Sequence, residues 1–243
     1  MASAWLHRAL LACAALLVGC TAAPTGPAPG AAPAPRAAVP PAPIAGSPQT
    51  YRIDPAASTL HILVYRGGPM ARLGHNHVVS SPNLHGRVWQ GAALEDAGFD
   101  ITVPVNDLVV DDNAARATEG EDFPLNVSED AKQGTKANML RDTLLDGARY
   151  PEIRITSVRI QGDAKTPVVS AALRIRDHTR QITLPVTLQT TDGRLQVQGQ
   201  FDIRQSDFGI TPLSIAMGAL VVMDTVRIKF ALATQPLPAG TDF

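Results

Sequence analysis

Apolar and polar residues alternate with period two through much of the chain. Ile182, Leu184, Val186 and Leu188 share one face of "QITLPVTLQT"; Leu195, Val197, Phe201 and Ile203 share one face of "RLQVQGQFDI". Asp192-Gly193 between them is a hairpin signal, because such pairs tolerate positive φ. Val226, Ile228, Phe230 and Leu232 repeat the pattern, as do Val169, Ala171, Leu173 and Ile175. Phe99, Ile101, Val103 and Val105 repeat it again. One apolar and one polar face per strand suits an antiparallel sheet with a solvated outside. About eight such strands close into a barrel or pack as a sandwich. One segment departs from period two: "SEDAKQGTKANMLRDTLLDGARYP" predicts a helix over 128–146. Ser128 is placed to cap it, and Glu129 and Asp130 suit its dipole. Ala137, Leu140 and Leu144 recur at helical spacing, while Gly147 and Pro151 mark its end. Gly134 weakens its first half.

The first residues have a different character. Arg8 precedes a short apolar run, the pattern of an export signal over residues 1–19 that is too short to span a membrane as a mature helix. The run ends in "LVGC", which resembles the lipobox of bacterial lipoproteins. The resemblance implies cleavage before Cys20 and acylation of its thiol, and Thr21 after it favours the outer membrane, facing the periplasm. Residues 20–48 are rich in Pro, Ala and Gly and cannot build a core. Extended, the roughly 27 residues from Thr21 to about Ser47 would act as a tether reaching roughly 80 Å, at about 3.1 Å per residue. The expected organisation is therefore signal 1–19, lipidated tether 20–48, barrel 49–235 and tail 236–243.

The chain has two cysteines, Cys13 and Cys20. Neither falls in the barrel segment, which excludes disulfides, thiolate-ligated metals and cysteine nucleophiles there. A formal net charge of −1 gives no electrostatic case for nucleic acid. No nucleophile elbow, zincin or phosphate-loop motif appears, so no enzymatic activity is expected. The acidic stretch around Asp111 and Asp112 lacks EF-hand spacing and reads as a solvated loop. Asp207-Phe208-Gly209 reads as a turn with a buried Phe.

"GHNHVV" concentrates the polar chemistry. On a strand, His75 and His77 would point the same way. They can be metal ligands, polar contacts for a ligand head group, or histidines with structural hydrogen bonds. A metal needs further ligands; His61, His85, His178, Asp111 and Asp112 are the candidates.

Beyond these patterns, the chain from about Tyr51 to Thr234 resembles the YceI-like family of polyisoprenoid- or lipid-binding periplasmic proteins. "YRIDPAASTLHILV" looks like its first strand, "NMLRDTLLDGARYPEIRITS" like its central helix, Tyr-Pro and following strand, and "ITLPVTL" and "RQSDFGI" like two late segments. The resemblance implies a lipocalin-like antiparallel barrel whose apolar tunnel binds a long-chain amphiphile, a polyisoprenoid or quinone-like lipid. Leu60, Ile62, Val64, Met139, Leu140, Leu144 and Phe208 are the expected wall, with His75 and His77 as polar contacts. The family's usual histidines are replaced here by Arg66 and, in the helix, at about Asn138, which marks a variant subgroup with a GHNH motif. Two other readings stand beside this one: a metal- or haem-linked redox accessory using His75 and His77, and a structural envelope module with a filled barrel.

Overall fold

The structure is a computed structural model that describes residues 49–238. The signal, Cys20, the whole tether and residues 239–243 lie outside the described residues. The strands are β1 (Gln49–Ile53), β2 (Thr59–Gly67), β3 (His77–Ser80), β4 (His85–Gln90), β5 (Gly98–Pro104) and β6 (Val109–Val110). They continue as β7 (Glu152–Gly162), β8 (Pro167–Ile175), β9 (His178–Thr191), β10 (Arg194–Arg204), β11 (Ser214–Ile215) and β12 (Leu220–Pro236). Every pairing is antiparallel, and β1 closes the sheet on β12.

The result is an eight-lane up-and-down barrel in which β1/β2, β3/β4 and β5/β6 are broken single lanes. "YRIDPAASTLHILV" is thus two strands rather than one. Pro55 opens a 3-10 turn, Pro55–Ala57, that interrupts the lane. Ser58 bridges the break: its Oγ donates to Asp54 O at 2.7 Å and accepts from Ala233 N at 3.0 Å. The Asp192-Gly193 hairpin forms as expected, with both residues at positive φ.

Inward positions follow the predicted parity. Val169, Ala171, Leu173 and Ile175 are buried, as are Ile101, Val103 and Val105. Val110 points in while the next residue, Asp111, takes a φ of 57° and turns the chain over the outer wall. There a second, smaller core of Leu63, Val78, Ala115 and Phe123 forms outside the barrel. It lies under a short helix, α1 (Asn113–Ala117), whose N-cap Asp112 accepts from Ala114 and Ala115 N–H. The acidic stretch is therefore a packed strap rather than a solvated loop. Glu119 fastens it further, accepting from Lys229 Nζ at 2.6 Å and lying 2.7 Å from His61 Nδ1.

The second helix, α2 (Glu129–Met139), is shorter than the predicted 128–146. Ser128 caps it through Ala131 N, as expected. The segment around Gly134 is helical, and the second half, 140–150, is a run of turns. Asp142 Oδ1 takes the Thr143 N–H, and Asp146 sits at a φ of 50°. Leu140, Leu144 and Leu145 instead pack on the core, so burial of three leucines overrides helical continuation. β12 ends at Pro236, and Leu237 N still bonds Thr50 O.

Candidate functional site

The barrel is not filled. Its interior holds a cavity of about 960 Å³ lined by Val169, Ala171, Ile182, Leu184, Val186, Phe99, Phe230 and other apolar side chains. A second chamber of about 220 Å³ lies beyond it, and Leu60, Val103, Ile155, Phe201 and Ile228 line both. The larger chamber reaches one barrel end, where Ala92, Ala93 and Lys165 from the connecting turns and Thr190 near the end of β9 line it. Gln49 pairs with Gln90 at that same end. The smaller chamber lies toward the opposite end, against Thr135, Asn138 and Met139 of α2 and Phe208.

Leu60, Ile62, Val64, His77, Met139, Leu144 and Phe208 all line the smaller chamber. Leu140 and His75 do not: Leu140 packs on the core, and His75 sits beside His77. Of the expected wall residues only Leu60 also lines the larger chamber, whose other walls lie outside the expected set. Parity shows which side chains of a strand face inward, but not whether they meet across the barrel.

His77 and His75 are not on one strand. β3 begins at His77, and His75 precedes it in irregular backbone. The rings nonetheless lie 4.5 Å apart, tilted by 63°. His77 Nδ1 is 2.7 Å from Asp111 Oδ2. Asp111 Oδ1 accepts from Val78 N at 2.9 Å and from the Arg116 guanidinium. Asp111 and Arg116 are both fully buried. Arg116 also donates to Asn76 O and Pro124 O, each at 2.8 Å, and lies over the Phe123 ring. Asn76 completes the group, accepting from Arg66 N and donating to Asp122 O. Burial pushes the Asp111 carboxyl up, but hydrogen bonds from His77, Val78 and Arg116 outweigh it and hold the group below its ordinary 3.8. Burial, and then His77, hold the His75 imidazole below 6.5. The His75 Nε2 is buried without a partner.

Among the described residues His75, His77 and Asp111 are grouped closely enough to approach one metal ion. Both Asp111 oxygens are already engaged, however, and Arg116 places a positive charge against them. Asp111 therefore acts first as the group that orients His77 and neutralises Arg116. Of the other candidates, His61 bonds Glu119, His85 approaches Asn83 O, His178 bonds Asp177, and Asp112 caps α1. Arg116 was missed in the sequence. The signal available was Asp112 followed by Asn-Ala-Ala, a capping pattern that would have put Arg116 on a helix.

The YceI-like domain family matches residues 51–234. Among solved structures, BcnA of Burkholderia cenocepacia is similar, with a TM-score of 0.56 and 17% identity over 75% of this chain and 99% of that chain. The YCEI protein of Campylobacter jejuni is a more distant neighbour, with a TM-score of 0.44 and 12% identity over 66% of this chain and 84% of that one. No curated protein matches. The fold is shared with BcnA, and the family match spans nearly the whole described barrel: the chain belongs to the YceI-like domain family.

Proposed function

We propose that this protein is an envelope binding module that holds one long-chain amphiphile inside its barrel, a polyisoprenoid or quinone-like lipid. The observation that carries this is the mostly apolar cavity of about 960 Å³ inside the barrel, with a smaller chamber beyond it. Protein interiors contain few voids larger than a water molecule. Leaving so large a space without a ligand would keep apolar side chains in contact with water that folding otherwise buries. Water gains little from apolar walls. A hydrocarbon chain fits them, and the volume lies within the range of ligand pockets, about 300–1,000 Å³.

In this reading the tail occupies the larger chamber and the polar head lies in the smaller one. His77, Thr135 and Asn138 are polar groups in its wall. With His77 Nδ1–H given to Asp111, its Nε2 is left to accept, which suits a head group carrying a hydroxyl. Acylated Cys20 and the Pro/Ala-rich segment would tether the barrel to the outer membrane on its periplasmic side. The role is binding rather than catalysis.

The test is lipid retention. Ala171→Phe fills the larger chamber and Ile62→Trp the smaller. Protein purified from its host is extracted with organic solvent, and the extract is weighed by mass spectrometry. Both variants should fold yet carry several-fold less lipid than the parent. Undiminished lipid in both would remove the tunnel assignment. A second reading, a metal centre, is favoured by the grouping of His75, His77 and Asp111. Stoichiometric zinc or copper, lost in His75→Ala/His77→Ala, would establish it.

A further inference from the structure

The end of the barrel opposite Gln49 carries a set of exposed apolar side chains. Met217 is 105% exposed, Leu73 64%, Ile215 50%, Met223 46% and Met70 43%. They belong to two neighbouring elements, the 68–74 turn and the β11–β12 hairpin. Met70 N donates to Ala219 O at 2.8 Å, and Met223 and Val221 flank Gly67. Ala216, Met217 and Gly218 all have positive φ, a tight tip that holds Met217 outward.

Neither the 68–74 turn nor the 209–223 segment contains an acidic residue, and the exposed Glu121 and Asp122 lie behind the turn, where Asn76 donates to Asp122 O. No charged residue lies between Asp207 and Asp224. Those two acids are engaged at its base, Asp207 by Arg204 and Asp224 by Ser206. Arg66 and Arg72, both exposed, border it. Contiguous exposed apolar surface marks an interaction site. An uncharged apolar tip flanked by arginines complements a bilayer with anionic head groups: the tip enters the acyl boundary and the guanidiniums meet phosphate.

We propose that this hairpin and turn dock the barrel on an anionic bilayer surface. The base of the same hairpin forms part of the smaller chamber, through Leu213 and Val222. Docking therefore brings that chamber's wall to the lipid interface. A membrane tether at Gln49 does not forbid this orientation. Residues 21–48, if extended, would reach roughly 85–90 Å, and β12, the longest described strand at 17 residues, spans about 55 Å.

The experiment is vesicle flotation of residues 21–243, which lack both the apolar export signal and Cys20, so that neither the signal nor acylation can contribute. Vesicles are phosphatidylcholine with phosphatidylglycerol, or phosphatidylcholine alone. The parent should float with the anionic vesicles. Ile215→Asp/Met217→Asp should lower the partition coefficient at least about tenfold. Asp tolerates the left-handed backbone at 217, so the tip keeps its shape; circular dichroism checks the fold. Arg72→Glu should weaken partition on anionic vesicles and leave neutral ones unchanged. Equal flotation of parent and double variant overturns the proposal, as does no flotation of either. Parent self-association in sedimentation, lost in the double variant without vesicle binding, would assign the knob to a second copy instead. Flotation does not require an occupied interior, so its failure leaves the amphiphile reading standing, and the reverse holds.

Discussion

Asp111→Asn isolates the energetics of the buried network. The substitution keeps size and shape, and Asn tolerates the φ of 57° at this position, so backbone strain is not introduced. What is lost is the charge that faces Arg116, a guanidinium with no exposed surface. Breaking a buried pair from one side costs about 3–5 kcal/mol, because the remaining charge stays desolvated. Urea unfolding of lipid-extracted protein reads this without ligand linkage. With a slope of roughly 2–3 kcal/mol per molar, the midpoint should fall by about 1–2 M. Asp100→Asn is the control: its partner Arg154 is half exposed, and the loss should be about 0.2–1 kcal/mol. Adding Arg116→Met to Asp111→Asn should recover much of the stability, since no unpaired charge then remains. A loss below about 1 kcal/mol for Asp111→Asn, indistinguishable from Asp100→Asn, would refute the claim that this pair is desolvated.

Acid sensitivity follows from the same groups. Asp111 and Glu119 both titrate below their ordinary values when folded, although burial opposes this. A depressed carboxylate contributes stability above its unfolded value that is lost as pH falls through the folded one. The melting temperature should therefore hold between about pH 7 and 5 and drop below about pH 4, with a shallower drop in Asp111→Asn. His75, held neutral by burial, adds a small loss as pH falls through and below 6.5, visible as a low imidazole midpoint in an NMR titration. Gly98→Ala should destabilise by about 1–3 kcal/mol, because its Cβ would lie 2.3 Å from the Trp89 ring and 2.7 Å from Ser157 Oγ; thermal unfolding measures it. A gain in stability there would mean Trp89 moves freely at the barrel rim.

The barrel was legible because period-two alternation survives wherever one face is buried and the other wet. The inward residues of β8, β9, β10 and β12 follow from parity alone. Helix length did not, because Leu140, Leu144 and Leu145 fit a helical pattern as well as they fit three turns over a core. GHNHVV drew notice for its histidines, but its partners come from residues 34 and 40 positions away, Asp111 to His77 and Arg116 to Asn76. Such contacts follow from lane order and from the reversal at Asp111, which local periodicity does not encode. The strap was hidden for a related reason. Its acidic residues look solvated in sequence, yet Asp111 is paired with Arg116 of the strap's own helix and Glu119 with Lys229 of β12.

The most direct measurement is native mass spectrometry of the barrel from Gln49 onward, exported in its own host and purified without a histidine tag. The expected spectrum shows the polypeptide plus one mass of several hundred daltons that leaves on organic extraction and returns when the extract is added back. A bare polypeptide mass that takes up neither the host extract nor an added polyprenol would contradict the account. The interior would then be a solvent-filled chamber rather than a lipid site.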